Sequence, residues 1–240
     1  MWMQTWWLVK KEMINKAGSI FLTALFVMLV GVITATMLGQ FIEGQRSNQF
    51  LLDLIFIGIT PSFAALVMSG PYLTFQTIKT DPFTKVMGFY RSLAIPFRVL
   101  VLSRTVFMLF TLVAMSAVYY LTIFLRLQVS FIALFEVSNY LMFALFWFGY
   151  ALALGGINSF IEYGTSGKML YIFSFVMTIS VVAFVLLFSL TFHVGFVELS
   201  IRLLEQYQWY AVCLSLVLGC LGFTLWYKLL YIRLGTRDYV

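Results

Sequence analysis

The chain has 240 residues, of which 62% are hydrophobic, 19% aromatic and only 10% charged, with a formal net charge of +6 and a mean hydropathy of +1.00. A soluble domain carries about a quarter charged residues to cover its surface, so this composition excludes an ordinary water-soluble globule. The positive balance does not point to nucleic acid, because the Lys and Arg residues flank apolar runs in the pattern of the positive-inside rule.

Those runs are about 20 residues long, enough to cross a hydrocarbon core of ~30 Å as a helix. They lack the alternation of membrane β-strands, and backbone groups in lipid are then satisfied only within helices. The fold class expected is an all-α integral membrane protein. It has six transmembrane helices, an N-terminal amphipathic interfacial helix and a short cytoplasmic helix, all in one domain spanning 1–240.

In chain order, residues 1–16 read as a surface helix. Trp2, Trp6, Val9 and Met13 recur at i, i+4, i+7 and i+11, with Lys10, Lys11 and Lys16 nearby, a composition suited to the membrane interface. The next apolar run continues past 20 residues without a small-residue cleavage site, so a span and not a removable signal peptide is expected. The six spans fall at 19–41, 50–75, 99–124, 131–156, 169–192 and 208–232.

Small residues mark close-packing faces: Gly31, Ala35 and Gly39 on the first span, Ala151 with Gly155 on the fourth, Ser215 with Gly219 on the sixth. Whether they pack within one bundle or between protomers is open at this level. Pro61 and Pro71 predict a kinked or broken second span, and broken helices can line substrate paths. Asp53 and Glu136 are the acidic residues inside spans, each near an outer end. With Pro61 they are the candidate path residues.

An even span count puts both termini on one side. That side holds Lys10, Lys11, Lys16, Lys79, Lys85, Arg91, Arg98, Arg104, Lys168, Lys228, Arg233 and Arg237, against Arg46, Arg126 and Arg202 on the other. The imbalance predicts cytoplasmic termini.

Catalytic signals are weak. Cys213 and Cys220 are seven residues apart on one helix, ~10 Å along its axis, too far for a disulfide, and no Cys/His cluster suggests a metal. Gly164-Thr165-Ser166-Gly167 matches the GxSG pattern of rhomboid intramembrane proteases. Yet Ser166 and His193 lie at opposite ends of the fifth span, ~40 Å apart and beyond hydrogen-bond reach. Nor is this a phosphate loop, since Met169 stands where Ser or Thr is needed. No catalytic site of the chain's own is expected.

The segment 76–98 carries the clearest local signal. Asp81 followed by Pro82 is a helix start: an N-cap acceptor, then Pro at the first helical position. Phe83, Val86, Met87 and Tyr90 then form one apolar face, with Lys85 and Arg91 on others. Such a helix can lie on lipid or dock into a partner's groove. It is followed by Ser92-Leu93-Ala94-Ile95-Pro96, a basic residue at Arg98, and Val101-Leu102-Ser103-Arg104.

This arrangement resembles the permease subunits of ABC-2 type ATP-binding-cassette transporters. The likeness lies in the Trp- and Lys-rich leading segment, six spans with both ends inside, and a basic loop between spans two and three. Phe97 departs from the family's frequent Leu-Pro-x-Ser-Arg pattern, where a Ser is common. The resemblance implies that 1–16 is an elbow helix in the interface and 76–98 a coupling loop. Asp81, Phe83, Val86, Met87, Tyr90 and Arg91 would then contact a separate cytoplasmic ABC ATPase subunit. It places ATP and Mg on that partner, with no cofactor in this chain, and pairs the chain with itself or a related permease in the cell membrane, for export. The alternatives are a secondary transporter, which needs an intramembrane ion site or repeat symmetry, and a non-transporting interaction or sensory protein.

Overall fold

The computed structural model describes residues 1–44, 48–74, 76–93, 95–131 and 137–236, and among them there is no strand. Five helices are long and apolar enough to cross a membrane: α2 (Ala17–Ile42), α7 (Phe97–Phe131), α8 (Val137–Gly164), α9 (Gly167–Phe192) and α11 (Trp209–Thr236). α2, α7 and α9 start at one end and α8 and α11 return to it, with α2 and α7 side by side in the same direction. That end, called here the basic end, also carries α1 (Trp2–Asn15) and α6 (Pro82–Ser92); the other carries α10 (Phe196–Tyr207). Glu136 lies outside the described residues.

The second span, 50–75, expected to be kinked or broken, is not one helix. It begins as α3 (Gln49–Leu54), widens into a π-helical turn (Ile55–Ile59) and tightens into a 3-10 turn (Thr60–Ala64). Ala65 is extended, and two one-turn helices follow, α4 (Gly70–Leu73) and α5 (Thr77–Thr80). Pro61 and Pro71 sit where the break was expected. Irregular backbone at membrane depth needs other partners, and side chains of neighbouring helices supply them. Tyr150 Oη donates to Ile57 O at 2.9 Å, Asn158 Nδ2 to Pro61 O at 3.0 Å and Thr111 Oγ1 to Ala64 O at 2.9 Å. Tyr171 Oη donates to Thr74 O at 2.7 Å.

Glycines set the helix spacing. A Cβ on Gly149 would lie 2.7 Å from the Ser215 backbone, one on Gly219 2.6 Å from Gly149 O, and one on Gly222 2.7 Å from Ala153 Cα. α8 and α11 therefore meet almost backbone to backbone. Gly31 meets Thr122 and Tyr119 of α7, and Gly155 meets Ala64 and Leu112. The small-residue faces thus pack inside this bundle. On α8, Gly149 and Gly156 face α11, while Gly155 faces the broken segment.

Aromatic rings fill the core between them. Phe56, fully buried on the π-helical turn, lies against Tyr119, Phe143 and Trp147 at centroid distances of 6.1, 5.2 and 4.9 Å. A second apolar cluster at the basic end joins Phe83 and Met87 to Leu100, Ile161, Leu170 and Leu230.

α1 is a helix as expected, but its faces differ from the expectation. Thr5, Leu8 and Val9 are buried, whereas Trp2, Trp6 and Trp7 are exposed. Leu8 borders one cleft with Pro96, Glu12 bonds Arg104, and Lys16 lies over Phe107. α1 therefore runs alongside the first turns of α7, in the same direction. The span 193–207, expected as a connection, is largely the amphipathic helix α10. Its first turn is capped from a distance: Asp53 accepts from the amides of Phe196 (3.0 Å) and Val197 (2.9 Å).

Candidate functional site at the basic end

Asp81 adopts a left-handed backbone, φ 39° and ψ 64°, a conformation that Asp tolerates because its short side chain bonds locally. One carboxylate oxygen accepts from Thr84 N at 3.4 Å and the other from Thr84 Oγ1 at 2.7 Å. With Pro82 in the first turn, α6 starts where the sequence places it. A Cβ on Gly167 would lie 2.2 Å from Thr77 O, so this glycine lets α5, just before α6, seat against the start of α9.

The apolar side chains of α6 divide between two duties. Phe83 (7% exposed) and Met87 (0%), expected as anchors for a partner, are buried in the basic-end cluster instead. They follow the ordinary rule that a short amphipathic helix buries its best stripe on its own domain. Tyr90 is half-buried. Val86 (43%) and Phe89 (61%) are the apolar side chains that α6 presents outward, beside exposed Lys85 and Arg91. Phe89 was absent from the expected face because it lies off the i, i+3, i+4, i+7 stripe.

Beneath α6 lies a charge cluster. Arg104, only 3% exposed, bonds Glu12 through Nη1 and donates from the same nitrogen to Tyr163 Oη at 3.2 Å. Its guanidinium lies 5.3 Å from the Tyr90 ring and 4.7 Å from the Tyr163 ring, within cation–π range. Lys16 Nζ pairs with the other Glu12 oxygen at 2.7 Å, and Tyr72 donates to Glu162. A cavity of about 120 Å³ borders Lys16, Tyr72, Arg104, Glu162 and Tyr163, room for about four waters at ~30 Å³ each. Arg104 Nε has no hydrogen-bond partner among the described residues.

Burial alone pushes the Glu12 carboxyl up, but Arg104 and Lys16 outweigh it and hold it below its ordinary value. Burial pulls Lys16 down, but Tyr163, Glu12 and Glu162 outweigh it and hold the ammonium above its ordinary value. Arg104 thus ties together α1 through Glu12, α6 through Tyr90, and α8 through Tyr163. The link from α6 is the Tyr90 ring beside this guanidinium, an attraction that weakens as the two are drawn apart.

The other candidate residues have structural partners. Asp53 caps α10, and Pro61 is buried with its carbonyl held by Asn158. Ser166 and His193 flank the 26 residues of α9, about 39 Å of helix, which bears out their separation. Sequence reasoning missed Glu12, Tyr72, Glu162 and Tyr163. Glu12 stands four residues before Lys16, a readable helix pair, but nothing local marks Arg104 as its partner. No family model, curated protein or solved structure matches this chain.

Proposed function

We propose that the chain is a permease subunit of an ABC-2 type transporter, driven by a separate cytoplasmic ATPase. The observation that carries this reading is α6. It is a capped helix seated at the basic end, directing Val86 and Phe89 outward among Lys and Arg, while its inner face joins three other helices through Arg104. That is the form of a mechanical input: an outer face for a partner and an inner face tied to the bundle.

The partner surface complementary to α6 is an apolar groove with an acidic rim. ATP and Mg belong to that partner, which closes and pushes α6. The segment 49–77 supplies the sixth crossing: α3 lies against α9 and its Asp53 bonds just beyond the C-terminus of α9, while Thr77 touches its first residue. Among the described residues, eleven Lys and Arg residues lie toward the basic end, against Arg126 and Arg202 at the other. This supports cytoplasmic termini in the cell membrane. Two such chains, or this one with a related permease, form the path, and the cycle runs toward export.

Purification of the tagged chain in mild detergent, with crosslinking, tests this reading. The expected result is retention of an ATPase subunit, and its release by Val86→Asp/Phe89→Asp with helical circular dichroism unchanged. Absence of any ATPase after crosslinking removes the proposal.

A further inference from the structure

An open cleft of about 760 Å³ lies among α8, α9, α10 and α11, toward the α10 end. Its wall includes Phe146, Trp147, Tyr150, Phe184, Leu203 and Leu214. Four polar side chains in this wall, Trp147, Tyr150, Ser200 and Ser215, have protein partners. Trp147 Nε1 donates to Ser200 Oγ at 3.2 Å, Ser200 Oγ to Val197 O at 2.7 Å, Ser215 Oγ to Phe146 O at 2.6 Å and Tyr150 Oη to Ile57 O at 2.9 Å. Along these residues an occupant finds aromatic and aliphatic surface, and Tyr207 and Tyr210 bring hydroxyls to the α10 end.

Two of the bordering helices, α9 and α11, bury little of their apolar length within the bundle, so apolar faces suited to hydrocarbon flank the cleft's open side. The cleft lies within the ~300–1,000 Å³ of small-molecule sites. Along α11 it runs from Tyr210 to Leu218, about 12 Å. A single methylene chain, which carries no polar group to satisfy, suits that length and that lining.

We propose that this cleft holds an acyl chain of a bilayer phospholipid, its headgroup at the level of Tyr207 and Tyr210. The site depends on the membrane crossing of α8, α9 and α11 and not on the transporter reading, so the two stand or fall separately.

The test uses the full chain in bilayer nanodiscs of phosphatidylcholine carrying a diazirine on one acyl chain. Photolysis is expected to place adducts on cleft residues of α10 and α11. After exchange into detergent, native mass spectrometry is expected to find phosphatidylcholine retained by the unaltered chain. Leu203→Trp/Leu214→Trp, which fills the cleft, should retain several-fold less, and Leu187→Trp on the exposed face of α9 should match the unaltered chain. Adducts confined to exposed α9, or equal reduction by Leu187→Trp, overturn the proposal. Loss of a chain dimer in the filled variant with lipid retention unchanged overturns it in favour of a protein interface. The photolabelling needs no substitution, so poor folding of the filled variant leaves the proposal decidable.

Discussion

Arg104 shows how far one residue's meaning depends on its surroundings. In the sequence it is one of twelve basic residues on the predicted inner side. In the structure it is nearly fully buried, bound to Glu12 from 92 positions away and flanked by two tyrosine rings. Removing one partner of a buried pair leaves an uncompensated charge at a cost of about 3–5 kcal/mol. Glu12→Gln is therefore expected to lower thermal stability in detergent by roughly that amount, because it strands both Arg104 and Lys16. The pH dependence has a definite sign. Glu12 is held below its ordinary value of 4.5, so its contribution is complete above 4.5 and disappears as pH falls through the lower folded value. A melting series is expected to lose stability below pH 4.5 in the unaltered chain and to lose less of it in Glu12→Gln. The N-cap role of Asp81, by contrast, was legible, because an N-cap bonds within three residues of itself.

At the scale of elements, the apolar helices were readable because length and composition alone decide them. The second span was readable only as a break at Pro61 and Pro71. Its π and 3-10 turns depend on hydroxyl and amide groups from Thr111, Tyr150, Asn158 and Tyr171, which lie far along the chain. α10 went unread because its N-terminal cap, Asp53, sits on another helix. Likewise, small residues announced close packing but not which glycine faces which helix. The α8–α11 contact gives a sharp test. Gly222→Ala drives a Cβ to within 2.7 Å of Ala153 backbone, an overpacking expected to cost about 1–3 kcal/mol. Gly18→Ala, where nothing lies within 4 Å, should leave the melting temperature unchanged or raise it slightly, since Ala favours helix by about 0.5–1 kcal/mol. Thermal unfolding of both variants in one detergent checks the contrast. Equal losses would refute the close α8–α11 approach.

At the scale of the whole molecule, charge asymmetry and the directions of the helices agree. Single cysteines at Lys168 and Arg202, in a chain with Cys213 and Cys220 replaced, report the orientation. A membrane-impermeant maleimide added to intact cells should label Arg202→Cys at once and Lys168→Cys only after permeabilisation. The reverse pattern would invert the orientation and separate α6 from any cytoplasmic ATPase.

The sequence by itself determined an apolar all-α chain with several spans, a broken second segment, a capped helix at Asp81 and the distribution of charge. These follow from signals carried by neighbouring residues: hydropathy over one window, a proline's missing amide, a side chain bonding its own backbone. Only the tertiary structure decided that Phe83 and Met87 turn inward while Val86 and Phe89 face out, that Arg104 belongs to Glu12, that Asp53 caps α10, and that an aromatic cleft opens beside α11. Those are properties of pairs separated by tens of residues. Their identity depends on how helices pack, and packing uses information that no single window contains.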